Sequence, residues 1–496
     1  MNSSPGTELQ RADIVISGGT IIAFDGTEHR RLDNGVIAIR GDRIVHVGRQ
    51  WTGGAGRRID ASGKIVIPGQ ISTHAHIGAH EGPRLLIDGG RRKFLRSGFL
   101  HFVPARRSGG PGFYAPQDAR ASLRYGFATL LRHGITTALA FGPGGRDGGE
   151  TMMAVAAEFG IRLVWSPIAS GGRYWLEDDG AVTQEMDEAA GLKAVEQAAR
   201  FIDRHSGAND GRYSGAIVLD EYHLSTPALR REAKRLSRAL GVPFTMHFVE
   251  QHREFFETMA RTGKTPVELL ADEGVLDPQT ILAHTIYLAG HSLVGYPLAD
   301  DIGILGQAGV HVAHSPVAFS RRGVALESFD RYRRAGIGVA LATDAYPLDM
   351  FAEMRTAAIM GKLAERNYEA ANAADVFAAS NLAGAAALGR PDLGRLSVGA
   401  KADIVVIDPG TLTFGANPDP VRAIVHLAQP ENVDSVLVDG RLLVEGGRIT
   451  IADEGEILAA VTTSSQKVWD AHATYDPMGR AVDQAFPPAL RDWPEA

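Results

Sequence analysis

A series of short apolar runs, each closing on a polar residue, constrains this chain more than any other feature. Residues 67–73 lead to His74, Ala75 and His76. Residues 243–246 lead to His247, 280–283 to His284, 310–313 to His314 and 338–343 to Asp344. Apolar runs of this length without alternation mark strands buried on both faces, and helical stretches between them imply parallel βα units. Further runs at 136–141, 162–167 and 216–219 bring the count to eight, and amphipathic segments at 116–133, 151–159 and 227–240 supply helices. The pattern predicts a (β/α)8 barrel. In that fold functional residues stand at the C-terminal ends of strands, so the polar residues closing these runs should share one mouth.

His74 and His76 are two positions apart on a strand and project from the same face. Two convergent imidazoles can hold a divalent transition metal, whereas a lone His-x-His can equally serve local hydrogen bonding. The sequence contains no cysteine, so disulfides and thiolate ligands are excluded and any metal is held by nitrogen and oxygen.

The 496 residues are enough for a barrel, a satellite domain and a helical tail. Gly-punctuated β segments at 13–22 and 36–44 are echoed at 402–407 and 433–440. A net charge of −7 with interspersed signs gives no nucleic-acid footprint; the cluster Arg91, Arg92, Lys93 and Arg96 reads as a solvated or substrate-loop feature. No apolar run reaches membrane-spanning length, and Met1-Asn2-Ser3-Ser4 lacks a signal-peptide core. A cytoplasmic enzyme with a small-molecule substrate is expected, without nucleic-acid or membrane partners.

Pro68-Gly69 before His74-Ala75-His76, then His247-Phe248-Val249-Glu250, His284, Ala313-His314-Ser315-Pro316 and Thr343-Asp344 follow one another in an order that resembles the amidohydrolase superfamily, in its cytosine deaminase and triazine hydrolase-like branch. The resemblance spans nearly the whole chain. It implies an α/β (β/α)8 TIM-like barrel over 68–390 and a small discontinuous β-sandwich from 1–67 and 391–455, followed by a helical and irregular tail at 456–496. It further implies that His74, His76, His247 and Asp344 hold one divalent metal, with zinc first and iron, manganese or cobalt as alternatives. Glu250, His284 and Asp344 take the catalytic roles, and His314, Phe102 and Tyr346 are candidates for substrate or supporting contacts. Binuclear relatives carry a bridging lysine on the fourth strand; here that strand reads Ile217-Val218-Leu219-Asp220-Glu221, so one metal is expected, with Glu221 the residue placed to bridge a second. A homo-oligomer, dimeric or larger, is expected.

Such a ligand set implies hydrolysis of a carbon–nitrogen bond by metal-activated hydroxide. Asp344 would accept the proton of water, Glu250 would protonate the leaving nitrogen and His284 would stabilise the developing oxyanion. Where related deaminases of purine-like substrates have a His-Ala-Pro-Tyr-Thr-type segment, this chain has Asp220-Glu221-Tyr222-His223-Leu224-Ser225-Thr226; Asp344 is followed by Ala345-Tyr346-Pro347-Leu348. These departures favour an amide, urea or carbamate bond of an apolar or aromatic compound over deamination of a nitrogen heterocycle, the alternative; a non-enzymatic structural relative is the minor alternative. Phe94, Phe99, Phe102, Phe113 and Tyr114 in the stretch 77–116 either line an apolar pocket or pack that loop onto the barrel.

Overall fold

Eight parallel strands occupy the positions of the eight apolar runs in the computed structural model, which describes residues 11–78, 84–85, 106–108, 118–142, 146–324, 326–327, 329–476 and 479–493. They are β1 (Gln70–His76), β2 (Ile135–Phe141), β3 (Arg162–Val164), β4 (Ile217–Glu221), β5 (Phe244–Phe248), β6 (Thr280–His284), β7 (His311–His314) and β8 (Gly338–Leu341). β1, β2 and β3 form one parallel ladder and β4 to β8 another. Two bridges join them. Ala169 meets Leu219, and Ala75 meets Asp344, where the His76 N–H donates to the Asp344 carbonyl at 3.0 Å and the Asp344 N–H to that of His74 at 3.0 Å. The α/β arrangement is TIM-barrel-like.

β3 is shorter than the run 162–167 predicts, and the short strand Tyr213–Ser214 pairs with it before the chain reaches β4. A hairpin of Gly172–Leu176 and Val182–Met186 also follows β3; its partly exposed positions give no buried-strand signal in the sequence.

The interior is filled by Ile71, Leu139, Val164, Val218, Ile281 and Ala313, all essentially without solvent exposure. The outer faces of the strands pack on helices whose ends the sequence encodes. Thr226 accepts the N–H of Leu229 to start Pro227–Leu240, and Gly241, at φ 66°, ends it in a conformation that costs glycine little. Asp118 caps Ala119–Arg132 in the same manner. The tail helix Glu454–Asp470 lies beside that element, with Ser464 Oγ accepting the Asp118 N–H at 3.2 Å.

The two chain ends share one nine-stranded sheet, five strands coming from the N-terminal segment and four from the C-terminal one. Ile65–Pro68 and Ile404–Ile407 pair antiparallel at the junction. Arg162, fully buried at the start of β3, joins the nine-stranded sheet to the parallel strands through Asp403 at 3.1 Å and Asp439 at 2.6 Å. No helix among the described residues is long and apolar enough to cross a membrane.

Candidate metal centre

His74 and His76 reach the mouth from the end of β1, and the structure brings His247 and Asp344 to the same point. His76 Nε2 lies 3.1 Å from His247 Nε2. Asp344 Oδ1 stands 3.5 Å from His76 Nε2 and 3.9 Å from His74 Nε2. Two donor atoms each about 2.1 Å from one zinc ion are about 3.4 Å apart in a tetrahedron, so these separations suit a shared ion. The protonation pattern agrees. His247 Nδ1 is 2.6 Å from the Asp220 carbonyl, which can only accept, so the ring's proton sits on Nδ1 and the Nε2 lone pair faces His76. Both ring nitrogens of fully buried His74 lack a hydrogen-bond partner among the described residues, a costly arrangement that a bound cation would relieve at one of them.

Burial, reinforced by the neighbouring imidazoles, holds His74 and His284 well below the usual histidine range and pushes His76 down to about 3. Neutral imidazole is the form that binds metal. Burial raises the Asp344 carboxyl, and the charge of Arg322 works against that rise. The backbone turns sharply where these side chains leave their strands: Val249, His284, Thr285 and Asp344 all adopt positive φ, between 39° and 68°. Non-glycine residues bear strain there, and such strain concentrates at functional sites.

Glu250 lies just beyond β5, its Oε2 3.6 Å from His284 Nε2. The His284 ring is 4.9 Å from that of His74, and His74, His247 and His284 offer ring nitrogens all within 4.8 Å of one another. By proximity alone His284 also stands within reach of an ion.

Behind His247 lies an acidic wall. Glu221 Oε1 is 3.8 Å from His247 Nδ1, while His223 Nδ1 lies 3.9 Å from both Glu221 Oε2 and Glu254 Oε1. Burial, with repulsion from neighbouring carboxylates, raises both glutamates well above the usual range; burial pushes His223 down to about 3. Glu254 was not foreseen from the sequence. Its Oε2 accepts the Val249 N–H at 2.9 Å from the first turn of the helix His252–Thr262, holding the strained segment that carries Glu250. The signal available was an acidic residue three places after the helix N-cap, a common device for satisfying backbone donors.

His314 closes β7, buried and pushed down to about 3 by that burial. Tyr346, two residues past Asp344, is half-buried and has two guanidinium groups over its ring, from Arg84 and Arg321. Phe102 lies outside the described residues, as do Phe94, Phe99, Phe113, Tyr114 and the basic cluster at 91–96.

Comparison with known proteins follows the same lines. Residues 65–443 match the model described as the amidohydrolase family. A 5-methylthioadenosine/S-adenosylhomocysteine deaminase of Acetivibrio thermocellus is 28% identical over 425 residues, covering 84% of this chain and 89% of its own. Among solved structures, an adenosine deaminase from Xanthomonas campestris with bound zinc superposes with a TM-score of 0.75 at 19% identity, covering 92% of this chain and 99% of its own. A mutant atrazine chlorohydrolase from Arthrobacter aurescens TC1, complexed with zinc and atraton, gives 0.74 at 24% identity, covering 91% and 100%. With a family match over some three-quarters of its length and the strand-end histidines gathered at one mouth, the chain belongs to the amidohydrolase family of carbon–nitrogen hydrolases.

Proposed function

We propose that the protein is an aminohydrolase with a single divalent ion, zinc by preference, that replaces an exocyclic amine of a nitrogen heterocycle by oxygen. The observation that carries this reading is the facing pair of Nε2 atoms of His76 and His247, 3.1 Å apart, with Asp344 Oδ1 3.5 Å from the first. Together with His74 these residues would hold the ion. When bound, such an ion lowers the pKa of water from 15.7 to about 7. Asp344 accepts a proton from the attacking water. Glu250 delivers a proton to the departing nitrogen, a step that matters because an amine anion leaves very poorly. His284, held neutral by burial, orients the substrate opposite Glu250.

The departures at 220–226 and 345–348 had favoured an amide, urea or carbamate bond. The names of relatives that match most of the chain, deaminases of adenosine-type compounds, support the heterocycle instead. We further read the nine-stranded sheet as a discontinuous β-sandwich domain from 1–67 and 391–455, beside a barrel of 68–390, in a homo-oligomer working in the cytoplasm. The test is incubation of zinc-loaded protein with aminoheterocycles, amides and ureas, followed by ammonia assay and product mass. Ammonia release with the ring intact is expected; scission of an amide or urea with no heterocycle turned over would contradict the proposal.

A further inference from the structure

Carboxyl groups line one side of the mouth and guanidinium groups the other. Asp220, Glu221, Glu250 and Glu254 gather on the β4–β5 side, whereas Arg321 and Arg322 follow the helix Pro316–Ser320 on the β7 side. The Arg322 guanidinium stands 5.4 Å over the ring of Phe319, itself 4.6 Å from the His284 ring, so a single buried aromatic separates this exposed cation from the centre.

Two more guanidiniums share the ring of Tyr346. Arg84 lies 5.2 Å from its centroid and Arg321 5.3 Å; Arg321 donates to the Tyr346 carbonyl at 3.2 Å and Arg84 to the Tyr125 hydroxyl at 2.6 Å. Elsewhere arginines meet carboxylates, as Arg124 does Glu158, Arg230 Glu273 and Arg333 Asp375. Arg84, Arg321 and Arg322 have no carboxylate partner among the described residues. Aromatic faces hold guanidinium planes in place while leaving edge N–H donors available, and like charges beside a low-dielectric cleft concentrate anions there. Those forked donors match carboxylate and phosphate oxygens.

We propose that this arginine rim binds an anionic group, carboxylate or phosphate, carried by the substrate away from its reacting carbon, with Arg322 as the specificity-determining residue. The assignment rests on the proposed reaction at the His74 centre and deepens it. The substrate lies across the mouth with its amino-heterocycle beside Glu250 and its anionic end toward β7 and β8.

Equilibrium binding to zinc-loaded protein carrying Glu250→Gln, which keeps its metal and slows turnover about 10²- to 10⁴-fold, tests the assignment, with Arg322 native (wild type below) or replaced. Three probes share the adenine ring: 5-methylthioadenosine has a neutral tail, S-adenosylhomocysteine a carboxylate and adenosine 5′-monophosphate a phosphate. At least one anionic probe should bind about tenfold or more tighter than the neutral one, an advantage that shrinks with added salt. Arg322→Gln, at an exposed position and checked for an unchanged melting temperature, should abolish that advantage and leave the neutral probe alone. Whichever anionic probe loses affinity identifies the group. If wild type and Arg322→Gln bind all three probes alike, including not at all, the anion site is overturned. Absence of ammonia release with a normal Arg322-dependent difference contradicts the proposed reaction and not the rim.

Discussion

His76 and His247 face each other through Nε2 atoms 3.1 Å apart, while the Nδ1 proton of His247 is committed to the Asp220 carbonyl 2.6 Å away. The second contact gives the first its meaning: with its proton on the far nitrogen, His247 can present only a lone pair to the mouth. β5 fixes this ring through the backbone of β4, so geometry and tautomer are set by one pairing of parallel strands.

The role proposed for Glu250 is separate from metal binding. Its carboxylate stands 3.6 Å from His284 Nε2 and does not join the His74, His76 and Asp344 group. Glu250→Gln should keep its metal and lose about 10²- to 10⁴-fold in kcat, the usual worth of general acid–base catalysis. Parallel metal analysis and steady-state kinetics check both halves; loss of the metal would return Glu250 to a structural role.

Glu254→Leu removes the acceptor of the Val249 N–H and leaves a donor buried beside a strained turn. A cost of about 1–3 kcal/mol is expected, with slower turnover because Glu250 is no longer held. Glu254→Gln retains an acceptor oxygen and should recover most of both. Chemical denaturation and kcat of the two variants provide the comparison.

Arg162→Leu should destabilise the protein by about 3–5 kcal/mol, because it leaves Asp403 buried without its cation and Asp439 with only Lys401 and Arg212. Urea unfolding at neutral pH measures this. A loss under about 1 kcal/mol would mean that the nine-stranded sheet is anchored to the parallel strands by apolar packing alone.

Burial pushes His311, at the start of β7, from 6.5 down to about 4. The folded protein therefore prefers the neutral ring, and the unfolded chain binds the proton more readily. This contribution to stability is full above the unfolded value of 6.5 and lost as pH falls from there toward about 4. His311→Gln should flatten the decline of the melting temperature over that interval; an unchanged slope would assign acid sensitivity to other groups.

What was legible in the sequence follows from what is local. His74, His247, His284 and Asp344 could be placed at strand ends because each closes an apolar run, and the fold uses those runs as parallel strands. The pairing of Arg162 with Asp403 spans 241 positions and has no local signature; it depends on how the terminal sheet docks. Glu254 resembles any charged residue in a first helical turn until the chain is folded. Arg322 is likewise an ordinary surface arginine in sequence, and only the packing of Phe319 against His284 brings it to the mouth. The hairpin 172–186 escaped notice because its residues are not buried on both faces.

The measurement that bears most directly on the central claim is elemental analysis of protein purified without chelator, made on wild type, Asp344→Asn and His247→Ala side by side. About one divalent ion per chain is predicted for wild type, with both variants folded, depleted of metal and inactive. Two tightly bound ions per chain in wild type, the second lost with Glu221→Gln, would contradict the single-ion centre. A His247→Ala protein that loses its metal yet retains turnover would contradict the role given to the ion.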